Sequence, residues 1–128
     1  MKIRGTDFVL YEVSSLEKSI PFYRDILGLT LISEENNEDL SWAEFDATPT
    51  TLSLYAPLKT ENRPPNTGGG TCIMLAVDDA QEAVDYLKSK NVPVTFGPFE
   101  TKVCFIVEIL DPDGNKIGLH QRKDGTAG

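Results

Sequence analysis

The sequence predicts an α+β fold: two βαβββ modules forming one curved eight-stranded mixed sheet, with helices on its convex side. Three observations carry this. An apolar run, a polar cap and a helical stripe occur in that order twice, around Val13 and Val77, 64 positions apart. After each helical stripe come three short alternating or apolar runs of strand length. Finally, half of a 128-residue chain cannot bury the second face of a four-stranded sheet alone, so two such halves should lie side by side.

Module one, about 5–57, opens with the run ending at Val13 and the polar pair Ser14-Ser15. Leu16, Ile20 and Tyr23 then recur at i, i+4 and i+7, the spacing of one helix face. Gly28 stops this helix, because glycine accepts the left-handed C-cap conformation. Strands are expected at Leu29 to Ser33, Leu40 to Asp46 and Thr51 to Tyr55, with Glu35 to Asp39 as a polar connection. The segment "APLKTENRPPNTGGG" holds adjacent prolines and three glycines, so residues 58–70 read as a linker or mobile flap. Its triple glycine lacks the spacing and the lysine of a phosphate-binding loop.

Module two, about 71–122, repeats the order. A run ending at Val77 precedes Asp78-Asp79, and Asp79 with Glu82 forms a capping box, where Ser15 with Lys18 forms only half of one. Ala80, Val84 and Leu87 make the second helix face, and Asn91 before Val92-Pro93 ends it. Strands follow at Pro93 to Phe96, Val103 to Leu110 and Lys116 to Gln121, the last entered through the turn Asp111-Pro112-Asp113-Gly114.

Twenty acidic against twelve basic residues give a net charge of −8, which opposes binding to nucleic acid or to an anionic membrane. No apolar run has the length of a membrane span, and the start lacks a signal-peptide core, so a cytoplasmic protein is expected. Cys72 and Cys104, without export signals or CxxC spacing, are expected as reduced thiols.

The repeated modules, together with "SSLEKSIPFYRDILGL" and "DPDGNKIGL", resemble the vicinal oxygen chelate superfamily of glyoxalases, bleomycin-resistance proteins, fosfomycin-modifying enzymes and extradiol dioxygenases. Ser19, Phe22, Tyr23, Leu27 and Gly28 carry the first motif, and Asp111, Pro112, Asp113, Gly114 and Ile117 the second. The resemblance implies a homodimer and a concave ligand site. It also implies that the His or Glu positions holding metal in metal-dependent members fall on Phe8, Ser53, Cys72 and Gly118, whose side chains cannot form a coordination shell. No metal and no other cofactor is therefore expected.

Period-two alternation aims Phe8, Leu10 and Glu12, then Ser53 and Tyr55, then Cys72 and Met74, then Gly118 and His120 to the concave face. In "VCFIVEIL", Val103, Phe105, Val107 and Ile109 should face the helices, leaving Cys104, Ile106 and Glu108 on the concave side. In "LSWAEFD", either Trp42 with Glu44 or Ala43 with Phe45 faces inward. Aromatic and apolar walls with a few polar points suit an organic ligand, apolar or cationic. The expected function is sequestration of such a small molecule, as in antibiotic resistance. The rival reading is a lyase, isomerase, hydrolase or dioxygenase, using His120 with Glu108 or Glu12 as acid and base, or an atypical metal site of Cys72 and His120.

Overall fold

In the computed structural model, which describes residues 1–127, the chain divides into two compact units, Met1–Thr67 and Gly68–Gly128. The division falls inside the expected linker. In the first unit the order is β1 (Phe8–Glu12), α1 (Leu16–Pro21), β2 (Thr30–Asn36), β3 (Ser41–Ala47) and β4 (Thr50–Tyr55). In the second it is β5 (Ile73–Ala76), α2 (Ala80–Ser89), β6 (Val94–Glu100), β7 (Cys104–Leu110) and β8 (Lys116–Arg122). The eight strands pair as two four-stranded mixed sheets of identical topology, β1-β4-β3-β2 and β5-β8-β7-β6. In each, the first and last strands of the module run parallel and the other pairs run antiparallel.

Each sheet carries its helix on one face, and the cores follow from the helical stripes. Leu16, Ile20 and Tyr23 are buried with Val13, Ala43, Phe45, Leu52 and Leu54, Tyr23 lying 5.7 Å from the Phe45 ring. In the second unit Ala80, Val84 and Leu87 are buried, as are Ile73, Val107, Ile109, Ile117 and Leu119 on the sheet. Each fully buried side chain of this size contributes about 1.5–3 kcal/mol.

The first helix is not the regular helix expected. Its α-helical part ends at Pro21 and continues as a π-turn, Phe22–Ile26, with Leu27 N–H donating to the Phe22 carbonyl at 2.9 Å. Proline lacks the N–H that would close the preceding turn and crowds the chain behind it, which is the usual setting for such a bulge. Gly28 then takes φ +76°, and Leu29 N–H reaches the Tyr23 carbonyl at 3.0 Å, a Schellman-type stop. Asn91, at φ +60°, does the same for α2, where Val92 N–H donates to the Leu87 carbonyl. The start of α2 also follows the sequence, since Asp79 Oδ1 accepts from Glu82 N–H at 2.9 Å, whereas Ser15 makes no side-chain cap.

β2 extends three residues past Ser33, to Asn36, before Asn37 Oδ1 closes the turn by accepting from the N–H groups of Asp39 and Leu40. β6 runs four residues past Phe96, to Glu100, and its pairing with β7 shifts register twice, around Thr95 and again between Phe96 and Phe99. Before β8, buried Asp111 accepts from the N–H groups of Asp113 and Asn115, while buried Asn115 donates from Nδ2 to Asp111 and accepts Gly68 N–H at 3.1 Å. Gly114 has φ +82°, as the turn requires. No helix among the described residues is long and apolar enough to cross a membrane.

Candidate functional site

Both sheets leave the face opposite their helix open, and strand register places the expected residues there. In the first unit the rows across β1, β4 and β3 are Phe8–Thr51–Asp46, Leu10–Ser53–Glu44 and Glu12–Tyr55–Trp42. Cross-strand partners share a face, so all nine side chains share the open one. The alternative left by "LSWAEFD" is resolved for Trp42 with Glu44, because Ala43 and Phe45 are fully buried on the helix side.

Phe8 and Trp42 start from the two outer rows. At about 3.3 Å per residue those rows lie roughly 13 Å apart along the strand. Their rings nevertheless meet edge to face, centroids 5.6 Å apart at 88°, and Trp42 also lies 6.2 Å from the Tyr55 ring. The two side chains therefore lean toward each other across the middle row. Ser53, at the centre of that row, is 0% exposed although Phe8 and Leu10 are each 44% exposed. Its Oγ is the one buried side-chain nitrogen or oxygen without a hydrogen-bond partner among the described residues.

The carboxylates of this face are already engaged. Glu12 takes both Arg63 guanidinium nitrogens, at 2.6 and 3.1 Å, and Asn66 N–H at 3.0 Å. The Arg63 hydrogen bonds, followed by that of Asn66, hold the Glu12 carboxyl below its ordinary value despite partial desolvation. Arg63 also pairs with Glu61, whose carboxylate accepts from the Tyr55 hydroxyl and thereby raises the phenol's pKa. Glu44 accepts from Trp42 Nε1 at 3.0 Å and from Ser33 Oγ at 3.3 Å. Arg63 and Glu61 were invisible in sequence: they sit in what reads as linker, and nothing local ties Arg63 to a strand 51 residues earlier.

In the second unit the rows are Met74–Gly118–Glu108–Phe96 and Ala76–His120–Ile106–Phe99. Met74 lies over Gly118, its Sδ and Cε occupying the volume that a side chain at 118 would fill. Cys72 Sγ is 3.9 Å from Met74 Sδ. Glu108 accepts from Thr95 Oγ1 at 2.8 Å and faces Lys116 Nζ at 3.9 Å, so it does not form an acid–base pair with His120. His120 is half-buried, and its side chain makes no hydrogen bond or ion pair among the described residues. One residue departs from the expected alternation: Val103 lies outside β7 and is 70% exposed, whereas Cys104 shares the register of Ile106 and Glu108 as expected and is buried, 3.1 Å from Thr101 Oγ1.

Paired βαβββ units and these open faces define a class, and comparison agrees. The chain belongs to the Glyoxalase/Bleomycin resistance protein/Dioxygenase superfamily, whose sequence profile matches residues 5–119. Among individual relatives, it is 32% identical over 124 residues to a lactoylglutathione lyase of Neisseria meningitidis, covering 91% of this chain and 89% of that one. It is also 32% identical over 126 residues to the metallothiol transferase FosB of Staphylococcus epidermidis, covering 94% and 83%. Among solved structures, TnmS3, an antibiotic binding protein from Streptomyces sp. CB03234, superposes with TM-score 0.76 at 28% identity, covering 96% of this chain and 99% of that one.

By the resemblance carried by the two motifs, the metal-holding positions of metal-dependent members would fall here on Phe8, Ser53, Cys72 and Gly118. A phenyl ring and a hydrogen donate nothing, a hydroxyl is a weak donor, and only the thiol is a ligand of consequence. Met74 already fills the space over Gly118. No group of three or more His, Cys, Asp or Glu side chains among the described residues could hold an ion. These residues do not fit the family's metal.

Proposed function

We propose that the protein binds a small, largely apolar organic compound and sequesters it without turnover, in the manner of an antibiotic-binding protein, as a homodimer. The observation that carries this is the lining of the open faces: Phe8, Ser53, Cys72 and Gly118 supply no metal-binding cluster among the described residues, and an aromatic group of Phe8, Trp42 and Tyr55 stands on the open face of the first unit. Similarity to an antibiotic binding protein supports the reading. The sequence alone allowed a cationic ligand, but Glu12, Glu44 and Glu108 each already hold protein donors, which favours a neutral one.

The second reading is an enzyme of the lactoylglutathione lyase or thiol transferase kind, favoured by the names of relatives that span nearly the same length. Native mass spectra of protein purified without chelator, before and after addition of Zn²⁺, Ni²⁺, Mn²⁺ or Fe²⁺, separate the two. A metal-free dimer that retains an organic molecule is the expected result. One tightly held ion per chain would overturn the binding reading and put the enzyme in its place.

A further inference from the structure

Ser53 raises a question that the fold does not answer. A hydroxyl at the centre of the open face is fully buried, yet its Oγ meets no donor or acceptor among the described residues. Leaving a buried hydroxyl unpaired costs stability, so an alanine there would serve the apo fold at least as well. The neighbours across the row offer no relief, since Leu10 is apolar and Glu44 is occupied by Trp42 Nε1 and Ser33 Oγ.

From the rows on either side of Ser53, the Phe8 and Trp42 rings meet at 5.6 Å. Trp42 is pinned through its indole N–H to Glu44, whereas Phe8, 44% exposed at the start of β1, meets it edge to face with no hydrogen bond to fix its ring. Resting on the binding reading above, we infer that Phe8 and Trp42 form a two-ring lid and that Ser53 is the polar anchor beneath it. The ligand is a flat aromatic compound carrying a hydroxyl or carbonyl at its rim. A flat ring that displaces Phe8 stacks on the fixed indole face, keeping aromatic contact on both sides. Its rim oxygen then reaches the serine, which both donates and accepts and so serves either group. A charged rim group fits less well, because the Ser53 hydroxyl is fully buried and a charge costs far more to bury than a neutral group.

The chain has a single tryptophan, Trp42, so its indole N–H resonance reports on this lid alone. The probes are 2-naphthol and naphthalene, equal in flat area and different only in the hydroxyl, titrated by calorimetry and by NMR against wild type and Ser53→Ala. The inference predicts that 2-naphthol shifts the Trp42 indole signal. It also predicts that Ser53→Ala weakens 2-naphthol at least tenfold, leaves naphthalene within twofold, and does not lower the thermal midpoint. A midpoint that falls, with both probes weakened alike, would make Ser53 a packing residue and overturn the inference. So would an unchanged 2-naphthol affinity, or no response of Trp42 to 2-naphthol. If native spectra meanwhile show a metal-free protein holding another organic molecule, the binding reading stands without this anchor; a stoichiometric metal ion would remove that reading independently.

Discussion

Gly118→Ala tests whether Met74 has taken the place of a liganding side chain. A Cβ at this position would stand 2.6 Å from Met74 Cε and closer still to Sδ. Ordinary carbon contacts lie at about 3.5–4.0 Å, so the thioether end must withdraw by roughly 1 Å or more. Met74 is unbranched and 47% exposed, so it swings toward solvent and gives up part of its contact with β8 rather than forcing the backbone apart. The lost contact is worth about 1–1.5 kcal/mol, at the low end of overpacking costs. Alanine recovers about 0.5 kcal/mol of chain entropy in a strand. The net loss is up to about 1 kcal/mol, or a midpoint lower by about 3–5 °C for a domain of this size. In a Met74→Ala background the atoms nearest the new methyl are gone, any other lies no closer than 3.5 Å, and Gly118→Ala becomes neutral or stabilising. Urea unfolding of the four proteins closes the cycle, with a coupling of about 1 kcal/mol expected. Equal cost in both backgrounds would refute the packing argument, as would a loss above about 3 kcal/mol in the single variant, which would mean that the backbone itself had been displaced.

Other features give sharp contrasts. Asp79→Ala should cost about 1 kcal/mol of stability, because its carboxylate holds Glu82 N–H, whereas Ser15→Ala, which removes no cap bond, should cost only a few tenths in the same thermal assay. Asn115→Ala leaves buried Asp111 and the Gly68 amide each short of a partner. About 1–3 kcal/mol should be lost, with faster hydrogen exchange at Gly68. The Glu12–Arg63 tie should depend on pH in one direction. Its folded carboxyl is held below 4.5, so the stabilisation is complete above that value and fades as pH falls through the lowered one. Exchange protection of Asn66 N–H should fade in the same range, and Arg63→Ala should remove most of that pH dependence.

Much of the architecture was legible because it is written locally and twice. The 64-residue offset sets Leu16 against Ala80, the first residues of α1 and α2, and the two sheets share one strand order. Period-two alternation placed Phe8, Leu10, Glu12, Ser53, Tyr55, Met74, Gly118 and His120 on open faces, since one buried face fixes the register of a strand. Trp42 escaped that logic because each alternating set of β3 holds one large aromatic ring, Trp42 in one and Phe45 in the other, so only packing against Tyr23 decides. The extra length of β2 escaped it because Glu34, Glu35 and Asn36 are exposed and show no buried side to detect. Arg63 on Glu12, and Thr101 over Cys104, are contacts made by turns and linkers, where no periodicity exists to read.

Strand β6 has one more consequence. It lies at the margin of its sheet and displays Phe96 and Phe99, 49% and 52% exposed with rings 5.6 Å apart, an arrangement that in a straight strand would invite another chain to extend the ladder. The strand is not straight. Its pairing slips twice, Pro98 has no N–H to offer, and Gly97 sits where a Cβ would run into the Ile106 carbonyl. An incoming strand would find neither an even row of donors nor a flat backbone to copy. The irregularity that lies beyond the expected end at Phe96 thus guards a sticky margin against fibril growth. Replacing Gly97-Pro98 by residues that straighten the strand should be felt first as loss of solubility, before any loss of the fold.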